Sequence, residues 1–372
     1  MIPFELHEGR IFVKASGRGF RNRWFLLDTG AQRVHFTQEL ALKARMRTTG
    51  PAVIRGVGQG EVPGFALPPG SLFIGSLKVP YERGIAAPAG RLLGPVRGGA
   101  ELQFDGIIGY DFFAPWVVEV DYETRLIRLY KPKSYRAEAG GETLPIEIAA
   151  RKPYVIGHLS GGPRKDVPVR LLLDTGSTGS LVLNGLFVEQ HGALDWPGKL
   201  LPSVSRGIGG VVPSYTGRMD RLALGGLVID QPLAGLSLAQ GKGVSAEAAG
   251  RIGGEILRRF RMVLNYRAGT VTLVRNGDFH APFEVDMSGL TFLRPGVGSP
   301  EFLVLKVAEE SAAAEAGVRQ GDRLLAIDGM APGAIGTERL KRLLRRAGET
   351  RRLTLIRDGE EVSAVLRLKR RI

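Results

Sequence analysis

The sequence predicts a mainly β protein, with two tandem β lobes followed by a small α+β module. Three observations carry this. Short runs rich in Val, Ile, Leu and Phe alternate with turn residues, and 52 Gly and 22 Pro in 372 residues supply many tight turns. One tripeptide occurs twice, as Asp28-Thr29-Gly30 and Asp174-Thr175-Gly176, 146 positions apart and each time after large apolar residues. From about Ser288 the pattern changes to a strand, a short helix, turns, a second helix and two more strands.

In the first lobe, strands are predicted at Ile11-Phe12-Val13, Ser71-Leu72-Phe73-Ile74, 116–120 and 126–130. The second lobe repeats the style at Tyr154-Val155-Ile156, 169–173, Leu222-Ala223-Leu224, 262–265 and 270–274. Within the lobes, only the stretches after each Asp-Thr-Gly, 37–46 and 186–191, read as helical. The repeat extends beyond the tripeptide. Gly106-Ile107-Ile108-Gly109 is answered by Gly250-Arg251-Ile252-Gly253, and Val120-Asp121-Tyr122 by Leu264-Asn265-Tyr266, both 144 positions on. A period this long marks two homologous lobes rather than an array of small units. A polar segment from Lys131-Pro132-Lys133 to Gly140-Gly141 divides the lobes, and a second break runs from Asn276-Gly277-Asp278 to Asp286. The expected boundaries are 1–135 for the first lobe, 142–276 for the second and 288–372 for the terminal module.

Composition narrows the class. With 44% hydrophobic and 24% charged residues the chain is ordinary globular material, and no run approaches the 18 apolar residues of a membrane span. Met1-Ile2-Pro3-Phe4 leads into a polar strand-like segment without the features of a leader. As written, the sequence is expected to be cytoplasmic; with an omitted leader it would be periplasmic or membrane-associated. The absence of Cys excludes disulfides, thiol catalysis and cysteine-ligated metal. A net charge of +14 raises nucleic acid as a partner. The basic residues are scattered, densest at Lys341-Arg342, Arg345-Arg346, Arg351-Arg352 and Lys369-Arg370-Arg371, with no interleaved aromatic platform. They read as a solvated face, and no specific nucleic-acid partner is expected. None of the five His lies in a His-Glu-x-x-His arrangement, no Gly-x-Ser-x-Gly occurs, and the Gly-rich runs lack the ending of a phosphate loop. No metal and no cofactor are expected, and His35 reads as a packing or surface residue.

Two Asp residues in matching contexts suggest a site in which a pair of carboxyls works together. Held close, they cannot both ionise cheaply, so one keeps a proton while the other takes one from water. The paired Asp-Thr-Gly loops, the segments 107–109 and 251–253, and a Gly-rich hairpin in each half together resemble two tandem retropepsin-like lobes of the aspartyl protease clan. The resemblance covers the first 276 residues. It implies β-barrel lobes and an aspartic endopeptidase in which Asp28 and Asp174 are catalytic. It also implies that Thr29 and Thr175 bond across the lobes, that Gly30 and Gly176 leave room beside the carboxyls, and that Ile107-Ile108-Gly109 packs under the first loop. Arg251 departs from the apolar residue expected under the second. The implied flaps are Gly56-Val57-Gly58-Gln59-Gly60 and Gly207-Ile208-Gly209-Gly210-Val211. Ala31 and Ser177 differ after the tripeptide, and a Ser177 hydroxyl donating to Asp174 would leave the charge there and the proton on Asp28. With both loops in one chain, the expectation is a monomer acting on proteins or peptides. The alternative is a catalytically inactive peptide-binding scaffold using the same cleft together with the terminal module, read below as a PDZ domain.

The terminal module runs through Phe302-Leu303-Val304-Leu305-Lys306-Val307, a small-residue helix over 310–318, Gln320-Gly321-Asp322, Ile327-Asp328-Gly329, a helix over 338–346, and strands at 352–356 and 362–368 joined by Asp358-Gly359. Over roughly the last 85 residues it resembles a bacterial PDZ domain. The resemblance implies that an extended peptide adds as a strand to an open sheet edge. The expected contacts are a loop holding Gly296, Val297 and Gly298 and an edge strand beginning Phe302, Leu303 and Val304.

Overall fold

Each Asp-Thr-Gly stands at the open end of a β-hairpin. The structure is a computed structural model and describes residues 1–92, 104–136, 140–293 and 302–372. In the first lobe Arg10–Gly17 pairs antiparallel with Phe20–Leu27, which delivers Asp28. Gly106–Ile108 lies parallel to the end of that strand and antiparallel to Val34–Thr37, which returns from the Asp loop. Phe25, Leu26 and Leu27 are therefore buried, and a continuous apolar run is what a strand with two covered faces requires. The second lobe repeats the wiring. Lys152–Gly161 pairs with Arg164–Leu173, and Gly250–Ile252 sits between Arg164–Leu173 and Leu181–Leu183.

The lobes are joined by a shared sheet. Val117–Asp121 pairs antiparallel with Phe260–Asn265, and Glu119 faces Val263. These two residues are also equivalent in the repeat, so the pseudo-twofold axis passes through that pair. The seam buries Val117, Val118 and Val120 against Met262 and Leu264. A 15-stranded sheet runs from Ile2–Pro3 across this seam and through the second lobe, while most first-lobe strands form a separate 10-stranded sheet. Glu119 is buried, and Arg128 at 2.5 Å and the Tyr130 hydroxyl at 2.9 Å donate to its carboxylate. Its twin is the apolar Val263.

Two boundaries differ from expectation. The first-lobe helix is shorter, Gln38–Lys43, because the Thr37 hydroxyl accepts from Leu40 N–H at its start and Arg45 turns left-handed after its end, at φ +52°. The second lobe continues past 276. The buried guanidinium of Arg259 donates to the carbonyls of Phe279, Ala281 and Pro282, which holds residues 277–282 against the lobe. The described chain accordingly divides into a unit ending at Pro282 and a unit starting at Phe283.

The second unit is a five-stranded antiparallel sheet in chain order: Leu290–Leu293, Phe302–Val307, Arg323–Ile327, Thr350–Arg357 and Glu360–Arg367. Its core holds Phe302, Val304, Ala313, Ile327, Leu340 and Leu353. Asp358 and Gly359, at φ +51° and +90°, form the two-residue turn of the last hairpin. The long helix is Pro332–Leu343 rather than 338–346, started by a Pro whose fixed φ suits a first helical turn. Phe302–Val307 is not the expected open edge. The segment 290–293 is itself a strand and covers one side, and Arg323–Ile327 pairs with Phe302 and Leu303 on the other. The outer strands are Leu290–Leu293 and Glu360–Arg367. Gly296, Val297 and Gly298 lie outside the described residues.

Candidate active site

The hairpin ends bring the two Asp-Thr-Gly loops together. Asp28 N–H bonds Ile108 O and Asp174 N–H bonds Ile252 O, both at 2.9 Å, so each loop is tied to the inserted strand of its own lobe. Between lobes, Thr29 N–H donates to the Thr175 hydroxyl at 3.1 Å and Thr175 N–H to the Thr29 hydroxyl at 3.0 Å. The Thr29 hydroxyl donates onward to Leu173 O, and that of Thr175 to Leu27 O. Gly30 N–H donates to Asp28 Oδ1 at 2.7 Å and Gly176 N–H to Asp174 Oδ1 at 3.0 Å. A Cβ on Gly176 would lie 2.4 Å from Asp28 Cγ, and one on Gly30 would lie 3.0 Å from Asp174 Oδ1. Each Gly thus touches the carboxyl of the opposite lobe, which leaves no room for a side chain. Beneath the loops a Cβ on Gly109 would lie 2.1 Å from Ala31 O, and one on Gly253 would lie 2.9 Å from Ser177 Oγ.

The pair is electrostatically uneven. Asp28 is pushed up to about 7, first by burial and then by the charge of Asp174; the Gly30 N–H and Lys152 pull against that rise. Asp174 instead has Arg251 Nε at 3.8 Å from its Oδ2. Arg251 is buried, and burial lowers its pKa while Asp174 and Asp28 oppose the fall. Lys152 is likewise lowered by burial and held up by both carboxyls, with its Nζ 3.4 Å from Gly243 O. Ser177 is not the donor expected from the sequence. Its hydroxyl lies against Gly253, and its main-chain N–H goes to the main-chain oxygen of Asp174 at 3.2 Å. The difference between the lobes lies one strand away. Ile107 aligns with Leu26 and His35 in the first lobe, and Arg251 with Leu172 and Val182 in the second.

Both Gly-rich segments are hairpin tips. Residues 56–60 connect Gly50–Arg55 to Glu61–Leu67, and Ile208-Gly209 turns Leu200–Gly207 into Gly210–Arg218. The tips touch each other. Gly58 N–H donates to Ile208 O and Gly60 N–H to Gly209 O, both at 2.9 Å. A loop of the second lobe holds the first tip from another side, with Lys242 N–H on Gly58 O at 3.1 Å and Gly243 N–H on Gly56 O at 2.8 Å. Val57 packs against Gly207 and Gly241, and Gln59 is exposed. Val211 is exposed whereas Val212 is buried.

Lys152 and the loop 241–243 were not singled out from the sequence. Lys152 begins a strand far from both motifs, and the cue in its surroundings is position: it follows the turn Ala150-Arg151, as Arg10 follows Glu8-Gly9 in the first lobe. Among the described residues no group of His, Asp or Glu is arranged to hold a metal ion, and no helix is long and apolar enough to cross a membrane.

Two β lobes with matching Asp-Thr-Gly loops at their junction define an aspartyl-protease architecture. Comparison with known families agrees: residues 161–243 match the aspartyl protease family and residues 303–357 match the PDZ domain. The chain thus carries a retropepsin-like aspartyl protease domain in its second lobe and a PDZ domain behind it. The first match includes Asp174 and the hairpin tip at 207–210; the first lobe is tied to it by the repeated wiring. The search of curated proteins found no match to the chain.

Proposed function

We propose that this chain is an aspartic endopeptidase whose PDZ domain recruits protein or peptide substrates. The observation that carries the reading is the meeting of the two Asp-Thr-Gly loops, where Gly30 lies against the Asp174 carboxyl and Gly176 against that of Asp28; burial and the charge of Asp174 push Asp28 up to about 7. In the proposed reaction the Asp174 carboxylate takes a proton from a water whose oxygen attacks the peptide carbonyl. The Asp28 carboxyl donates a hydrogen bond to the carbonyl oxygen and stabilises the charge developing there. Asp174, protonated by that water, passes the proton to the amide nitrogen as the C–N bond breaks, so one fragment leaves as an amine, the other as a carboxylic acid, and Asp174 is ionised again. The residues themselves supply the acid and the base, and both lobes belong to one chain, so a monomer suffices. The peptide-adding edge of the PDZ domain is assigned to Leu290–Leu293, whose outer side has no strand partner among the described residues.

The test is cleavage of a denatured protein from acidic to neutral pH, with a statine peptide as transition-state inhibitor. Wild type is expected to cleave and to be inhibited, while Asp28→Asn and Asp174→Asn each abolish turnover with the fold intact. The second reading is a catalytically silent peptide-binding scaffold. The bonded flap tips and the two cations beside the carboxyls favour it, and absence of cleavage by wild type together with retained statine-peptide binding would establish it.

A further inference from the structure

We propose that Arg251 is a positioning residue that holds Asp174 as the charged member of the carboxyl pair and so leaves the shared proton on Asp28. This rests on the endopeptidase reading for its consequence, though not for its electrostatics. Arg251 lies on a strand bonded on both sides, so its guanidinium enters the site from a fixed backbone. Its Nε is 3.8 Å from Asp174 Oδ2, and among the described residues Asp174 is the carboxylate it pairs with. A buried guanidinium without a counter-charge is strongly disfavoured, which makes an ionised Asp174 the condition for keeping Arg251 inside. At the equivalent place the first lobe has Ile107, which offers Asp28 no charge.

The other groups around the pair do not make this selection. Lys152 acts on both carboxyls and lowers the cost of charge at either. Tyr154 lies near Asp174 and Tyr266 near Asp28, both as phenols whose pKa burial raises, so they stay neutral where the pair titrates. The Gly30 and Gly176 N–H groups are matched across the axis and cancel. Among the described residues Arg251 is the cation with an ion pair to one of the two carboxyls. As the proton-accepting member, Asp174 must be ionised for turnover, and the guanidinium 3.8 Å away favours its charged form.

The experiment is the pH profile of kcat/KM for wild type, Arg251→Met and Arg251→Lys, with carbon-13 titration of the Asp carboxyls in the same proteins. Met is expected to move the acidic limb up by about one pH unit, and Lys is expected to restore most of the shift. A limb that stays in place in a folded Met variant, or moves equally in the Lys variant, overturns the proposal. If the Met variant does not fold, the wild-type titration decides: Asp174 must ionise below Asp28, and the reverse order refutes the assignment. The carboxyl titration needs no turnover. An inactive wild type with the expected ionisation order would therefore count against the endopeptidase reading and not against Arg251.

Discussion

Thr29 and Thr175 each donate a main-chain N–H to the other's hydroxyl, and each hydroxyl donates onward to the strand end of the opposite lobe. All four bonds are buried, so neither Thr can be truncated without stranding a donor from the partner loop. Thr175→Val is expected to lose roughly 1–3 kcal/mol, the cost of a buried group left unsatisfied, while Thr175→Ser loses much less. Urea unfolding of the two variants checks this. A larger loss for Ser than for Val would show that packing of the methyl, rather than the bonding, holds the loops together.

Asp28 gives the protein a pH dependence of defined sign. Its pKa rises from 3.8 unfolded to about 7 folded, so between those values the folded chain holds a proton that the unfolded chain has released. Stability from this group is therefore lost as pH rises through that window. Asp28→Asn removes the cost of ionisation, and its thermal midpoint relative to wild type is expected to rise between about pH 5 and about pH 8. Calorimetry at the two values measures the difference, and a constant gap would contradict the assignment.

His35 acts in the opposite range. It is buried beside Arg33 with Nδ1 lacking a partner, and burial first, then Arg33, lowers its pKa from 6.5 to about 4. The unfolded chain binds the proton that the folded chain refuses, so stability falls as pH drops from 6.5 towards 4. His35→Leu is expected to reduce the loss between about pH 7 and about pH 5 by roughly 1–2 kcal/mol. Chemical denaturation at both values provides the check, and a variant as acid-sensitive as wild type would point to another group.

The PDZ sheet predicts where a bound peptide protects the backbone. Phe302 and Leu303 already have strand neighbours on both sides, whereas Leu290–Leu293 is outermost. Hydrogen exchange with an extended peptide bound is expected to slow amides in Leu290–Leu293 by tenfold or more, about 1.4 kcal/mol, and to change Phe302–Val307 little. Protection at Glu360–Arg367 instead would move the peptide to the other side of the sheet.

The repeated framework was legible in the sequence because its determinants are local. Leu171 and Leu173 are buried on a central strand, and the Gly residues at 109 and 253 sit where a Cβ would strike the Asp-Thr-Gly loop. Position 251 could be recognised as a departure. Its partner could not, since the Arg251–Asp174 pairing depends on how three strands align in space. The same limit explains the PDZ edge: Phe302–Val307 is apolar enough to be an inner strand, but its cover comes from the four residues 290–293, too short a run to read reliably as a strand. Lys152 was hidden for a related reason, since it reaches the site from a hairpin turn with no sequence neighbour in either motif.

The seam through Glu119 and Val263 makes the two lobes symmetric in backbone and free to differ in side chains. Two copies of one lobe, assembled as a dimer, would bring either no guanidinium to the carboxyls or two of them, one from each side. Covalent linkage of the lobes permits a third arrangement, with one guanidinium serving one carboxyl. A half of this molecule carrying Ile107 and a half carrying Arg251 are thus not interchangeable parts: each would build a different, evenly charged centre if paired with itself.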